Sequence, residues 1–205
     1  MVLHYTGMPT GAEALARLCD PLSRVSAHYL IDEDGTVHAL VDEAHRAWHA
    51  GVSYWHSIFD VNSASIGIEV VNPGHEFGYR PFPAVQIGAL IDLAVKIRER
   101  HAIAPWGVVG HSDVAPARKT DPGELFPWRE LAAASLGLWP RPGAQSDDGR
   151  AFSQLLNAYG YDVRDADAAV TAFHRHFYPE RLGQSADAES RRRLLSLLAQ
   201  KRSAV

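Results

Sequence analysis

Eleven histidines and one cysteine in 205 residues make imidazole and carboxylate the groups with which this chain would hold a metal ion. A catalytic zinc takes three nitrogen, oxygen or sulfur side chains and keeps one position open for water. Cys19 lies in a helical pattern, which leaves His together with Asp or Glu as the ligands to look for. His4 sits in the first apolar run. His111 follows Val108-Val109-Gly110 and opens a stiff, proline-containing loop that could return Asp121 toward it. Nine residues separate His111 from Asp121 and match no rigid period. Spacing alone therefore leaves open whether the three side chains form a metal site. A further carboxylate, Glu69, projects from the polar side of residues 65–71, where Ile66, Ile68 and Val70 alternate with Gly67 and Glu69.

The elements that must position these groups follow from period and punctuation. Residues 1–6 read as a strand, and 11–20 as a short helix with Ala14, Leu15 and Leu18 at helical spacing. Runs at 27–31 and 36–41 flank Asp32-Glu33-Asp34-Gly35 and predict a β-hairpin. Residues 84–101 carry Ile87, Leu90, Ile91, Ala94 and Ile97 on one stripe, the clearest amphipathic helix in the chain. Val108-Val109 predicts a short buried strand. The fold class is α/β (α+β): a mixed central β-sheet flanked by helices, its reactive edge built from strand ends and loops. Residues 139–150 are polar and rich in Pro and Gly, which predicts a linker. Helical patterns at 151–159, 165–177 and 187–200 then predict a small three-helix all-α domain, with Leu194, Leu195, Leu197 and Leu198 for packing. The division is thus 1–138, a linker at 139–150, and 151–205.

Composition removes other function classes. The chain is 46% hydrophobic and 21% charged, as an ordinary globular protein is. A net charge of −4 argues against a broad electrostatic grip on nucleic acid. No apolar run approaches the roughly 20 residues of a membrane span. No leader-like segment precedes the first strand, so the chain as written is expected in the cytoplasm. The alternative is the periplasm or outer membrane, should the natural start lie upstream. A monomer is the expected state.

In order along the chain, VLHYTGM, VSAHYLIDEDGTV, AWHAGVSYW, SIGIEVVNPG, QIGALIDL and VVGHSDVAPARKTDPGELFPW resemble the type 2 N-acetylmuramoyl-L-alanine amidases. That group belongs to the peptidoglycan recognition protein superfamily. The resemblance covers residues 2 to about 138. It implies that His4, His111 and Asp121 bind one zinc per chain, that Glu69 is the general base or the group that orients the water, and that Lys119 stabilises the developing oxyanion. It also implies that His28, Trp48, His49, Asn62 and Arg118 line or order the substrate groove, Arg118 pairing with a stem-peptide carboxylate. The implied partner is peptidoglycan or a muropeptide. Asp121 stands where phage members of the superfamily use cysteine, so Cys19 is expected to be a buried structural thiol. His38, His45, His56, His75, His101, His174 and His176 are expected at the surface or at helix ends.

The last third, with Phe152-Ser153-Gln154-Leu155-Leu156, Tyr159-Gly160-Tyr161 and the run 169–177, resembles the helical peptidoglycan-binding domain that follows AmiD-type amidases. It departs from that pattern at His174 and at 183–187. Two rivals stand beside a zinc amidase. A non-catalytic peptidoglycan-recognition module would have lost a zinc ligand or Glu69, and neither is lost. A zinc peptidase of another type would carry a signature such as HExxH, which the chain lacks.

Overall fold

β1 (Val2–Tyr5) pairs in parallel with β4 (Gly67–Val70) on one side and β5 (Val109–Gly110) on the other. β4 continues in parallel to β2 (Tyr29–Ile31), and β3 (Val37–Ala39) closes the edge antiparallel to β2. The sheet order is β3-β2-β4-β1-β5, the mixed sheet the sequence predicts. The computed structural model describes residues 1–143, 146–147 and 149–203. Ala144, Gln145 and Asp148 of the predicted linker lie outside the described residues, as do Ala204 and Val205 at the chain end.

Helices pack where their apolar stripes direct them. α1 (Gly11–Cys19) is capped by Thr10, whose hydroxyl accepts the amide of Glu13 at 3.2 Å. Cys19, expected buried, ends α1 as an exposed free thiol, because the inward face of this short helix is carried by Ala14. A four-residue turn, α2 (Gly74–Phe77), follows β4. α3 (Ala84–Arg100) buries Ile87, Leu90, Ala94 and Ile97 against Leu3, Ile68 and Val70 of the sheet. Its buried Gln86 donates to the carbonyls of Ile31 and Val71 and so ties the helix to two strand ends. β5 runs directly into α4 (His111–Val114), and α5 (Trp128–Ala133) follows.

The last three helices are α6 (Phe152–Tyr159), α7 (Ala166–Phe177) and α8 (Ala188–Ser203). Alternation along β1 points Leu3 at α3, and Val2 and His4 at the opposite face. On that face Val2, Trp55, Val109 and Val114 share one apolar cluster with Leu155, Tyr159, Phe173, Phe177 and Leu194. The start of the predicted linker lies along α8: Arg141 N donates to Ser196 Oγ at 2.8 Å, and Gln200 donates to the carbonyl of Trp139 at 2.9 Å. Among the described residues no helix is long and apolar enough to cross a membrane.

Candidate active site

The parallel register sets His4 directly beside Glu69 on the neighbouring strand, so both side chains leave the sheet on the same face. The turn from β5 into α4 brings in His111. Its loop closes back through Ser112 N, which donates to Asp121 O at 2.8 Å. Gly110 permits that closure, since a Cβ there would lie 2.7 Å from Pro122 Cδ. The result is a triangle: His4 Nδ1 to His111 Nδ1 is 2.9 Å, and each nitrogen is 3.0 Å from Asp121 Oδ2. All three residues are buried.

The far nitrogens of the two rings fix which atoms face inward. Ser65 Oγ donates to the Val61 carbonyl at 2.5 Å, so its contact with His49 Nε2 at 3.3 Å has the imidazole as donor. His49 is neutral: burial, reinforced by the neighbouring His4, lowers its pKa to about 2. Its Nδ1 is therefore bare and accepts from His4 Nε2–H at 3.0 Å. Burial and the nearby His111 lower the pKa of His4 to about 4, so its Nδ1 is bare as well. His111 donates Nε2–H to the carbonyl of Ala50 at 3.1 Å, which turns its Nδ1 toward the triangle. Two imidazole nitrogens and a carboxylate oxygen thus converge on one point. This donor set fits a zinc ion: two imidazoles whose second nitrogens are anchored by hydrogen bonds, one carboxylate oxygen, and a cleft on the open side.

The cleft over the triangle holds about 410 Å³, and Glu69, Lys119, Trp48, His49 and His75 contribute to its wall. Glu69 Oε2 is buried without a hydrogen-bond partner. Desolvation raises its pKa well above the usual carboxylate range; the charge of Asp121 adds to this and Lys119 opposes it.

A family model for N-acetylmuramoyl-L-alanine amidases (Amidase_2) matches residues 1–124. The chain belongs to this family. Among relatives of this amidase, AmiD of Escherichia coli K12 is 38% identical over 93% of this chain and 78% of its own length. The AmpD enzyme of Haemophilus influenzae, a 1,6-anhydro-N-acetylmuramyl-L-alanine amidase, is 39% identical over 54% of this chain and 59% of its own. The E. coli AmiD structure, a complex with anhydro-N-acetylmuramic acid-L-Ala-D-γ-Glu-L-Lys, superposes with a TM-score of 0.86 at 37% identity. It covers 97% of this chain and 88% of that one. AmpDh3 of Pseudomonas aeruginosa, in complex with anhydromuramic pentapeptide, gives 0.87 at 35% identity, covering 98% and 91%.

The remaining residues expected at the amidase groove divide. Trp48, 51% exposed, stands on the cleft wall. Arg118 reaches the same wall, but its Nη2 donates to the carbonyls of Ala50 and Val52 at 2.7 and 2.8 Å and braces that turn. His28 lies outside the cleft lining. Its Nδ1 accepts from Gly67 N and its Nε2 donates to His45 O, so the ring knits β4 to a loop. Asn62 is buried and accepts the amides of His49 and Ala50, holding the backbone that presents His49. His174 and His176 lie at the end of α7, one of the two places expected for them, and are buried there because Ser190 and Asp113 receive them. Sequence reasoning missed Ser65 and Asp113. Gly67 was a readable signal: a Cβ there would lie 2.3 Å from His49 Cγ, so a glycine in an apolar strand marked a packed ring.

Proposed function

We propose that this amidase hydrolyses the bond between the lactyl carbonyl of N-acetylmuramic acid and L-alanine, using one zinc ion held by His4, His111 and Asp121. The observation that carries the reading is the convergence of the His4 and His111 Nδ1 atoms with Asp121 Oδ2 beside the partnerless carboxylate oxygen of Glu69. When bound, zinc supplies Lewis-acid chemistry, lowering the pKa of water toward neutrality and polarising the carbonyl.

The chain's own groups account for the proton. Glu69, with its pKa raised by burial, accepts a proton from the attacking water and delivers it to the alanine nitrogen as the C–N bond breaks. The products are a lactyl carboxylate and a free L-alanyl amine. Lys119, on the cleft wall, balances the negative charge that develops on the carbonyl oxygen. His49 and Ser65 keep the His4 proton on Nε2. The solved complexes of AmiD and AmpDh3 with anhydromuramyl peptides support muropeptides as the substrate class.

Mass spectrometry of a defined N-acetylmuramyl tripeptide incubated with purified protein tests the reading. Release of the L-alanyl peptide should stop with a zinc chelator and return when zinc is restored. Release that is indifferent to a chelator shown to strip the protein of metal would overturn the zinc assignment.

A further inference from the structure

The loop that carries His111 and Asp121 is gripped from the side of the C-terminal helices. Two residues beyond His111, Asp113 turns its carboxylate inward and is 1% exposed. Its Oδ2 accepts the amide of Gly110 and the Nδ1–H of His176, both at 2.7 Å, and its Oδ1 accepts the Tyr161 hydroxyl at 2.6 Å. Two of these three donors come from α7 and from the segment just after α6. The His176 ring is itself fixed in place, stacked on Trp128 and Phe177 with centroids 3.8 and 3.7 Å apart. At the far end of the same loop, Arg175 Nε approaches Glu124 Oε2 at 3.9 Å, three residues past Asp121.

Covering Val2, Val109 and Val114 needed only apolar side chains. A buried carboxylate is different, because it is tolerated only when its donors are all in place. The interface therefore specifies one orientation of Asp113, and through Gly110 N one geometry for the first turn of α4. His111 is the first residue of that turn.

We propose that the C-terminal helices fix the metal-ligand loop, with His176 and Tyr161 acting as positioning residues that orient His111 through Asp113. This rests on His4, His111 and Asp121 being the metal ligands. Groups hydrogen-bonded directly to metal ligands typically contribute about 10–100-fold to metal affinity; His176 and Tyr161 act one step further out, which puts their expected effect at the low end of that range. The helices thus take part in assembling the site as well as in covering the sheet.

Cobalt(II) titration of the full-length protein, stripped of metal, tests the assignment, since visible absorption reports the geometry of the ligand set. Wild type should bind cobalt with a tetrahedral spectrum; a wild type that binds neither cobalt nor zinc would overturn the metal reading itself. Tyr161→Phe keeps the ring and removes one hydroxyl, and His176→Leu removes the other donor. Each should weaken cobalt binding roughly tenfold, alter the band shape, and lower kcat on a soluble muropeptide with KM little changed. His176→Asn, which restores an N–H near the Nδ1 position, should recover most of the affinity. The assignment fails alone if wild type binds cobalt and folded Tyr161→Phe matches its affinity and spectrum. It also fails if folded His176→Asn binds cobalt no better than folded His176→Leu. Tyr161→Phe keeps the test decisive where His176→Leu does not fold.

Discussion

Replacing His49 with leucine separates the tautomer argument from general packing. His4 is 1% exposed, and its Nε2–H has His49 Nδ1 as acceptor. In His49→Leu that donor is buried and unpaired, which costs about 1–3 kcal/mol. The ring escapes the cost by moving its proton to Nδ1, where Asp121 Oδ2 at 3.0 Å accepts it. That tautomer presents a hydrogen to the metal position. Zinc must then reverse the shift before it binds, so affinity should fall by about 5–150-fold, since each 1.4 kcal/mol is tenfold. Ser65→Ala acts one step further out and across a longer contact of 3.3 Å, so a loss of roughly 2–5-fold is expected from a bond worth about 0.5–1 kcal/mol. Competition against a chromophoric chelator measures both affinities, and nitrogen chemical shifts of the His4 ring in the metal-free protein report its tautomer. A folded His49→Leu protein that binds zinc within about twofold of wild type would refute the reasoning. So would a wild-type His4 whose proton resides on Nδ1.

Glu69→Gln should lower kcat about 10²–10⁴-fold while zinc binding, measured by the same competition, persists; turnover near wild type would remove Glu69 as the proton carrier. Gly67→Ala should displace the His49 ring, whose Cγ lies 2.3 Å from the added carbon, and weaken zinc binding in the same direction as His49→Leu. Glu43 accepts from Arg100, His101 and Tyr29, and chiefly Arg100 lowers its pKa from 4.5 to about 2. A carboxylate depressed in the folded state adds stability that is complete above its unfolded pKa and disappears as pH falls through the folded one. Wild type should therefore exceed Glu43→Gln by about 1–2 kcal/mol above pH 4.5 and converge with it near pH 2, a modest figure because Arg100 is half exposed. Denaturant melts across that range check the sign. Truncation after Pro140 should destabilise the amidase itself by at least about 3 kcal/mol, because Val2, Trp55, Val109 and Val114 lose their cover; calorimetry of the truncated chain reads this directly.

Groups borne by regular strands and stripes were the legible part of the sequence. Alternation around Glu69 placed it off the apolar face, and the stripe of α3 identified its core residues, of which Ile91 is the one left half buried. The loop from His111 to Asp121 follows no period. Stiffness and family likeness suggest that it closes, but the contacts at Ser112 and Pro122 that close it leave no pattern in the sequence. The run His174-Arg175-His176 reads as a solvated helix end because its partners are remote in sequence. Ser190 lies 16 residues away and Asp113 lies 63. Such a segment is buried on several sides at once, and no hydrophobic period records that. His28 and Asn62 show the converse: both ring nitrogens of His28 and the Oδ1 of Asn62, expected near the groove, bond to backbone.

The pairing of β1 between two parallel strands divides the site into parts of unequal permanence. His4 and Glu69 belong to a ladder at the sheet interior, whose amides exchange with solvent only when the sheet as a whole opens. His111 and Asp121 belong to a turn and loop that the C-terminal helices brace from outside, through Asp113 and Glu124. The strand half thus depends on the sheet and the loop half on the helical cover, so a change that loosens that cover should disturb two of the three candidate ligands and leave His4 and Glu69 in register. With zinc held as proposed, added zinc should then raise the temperature at which activity is lost.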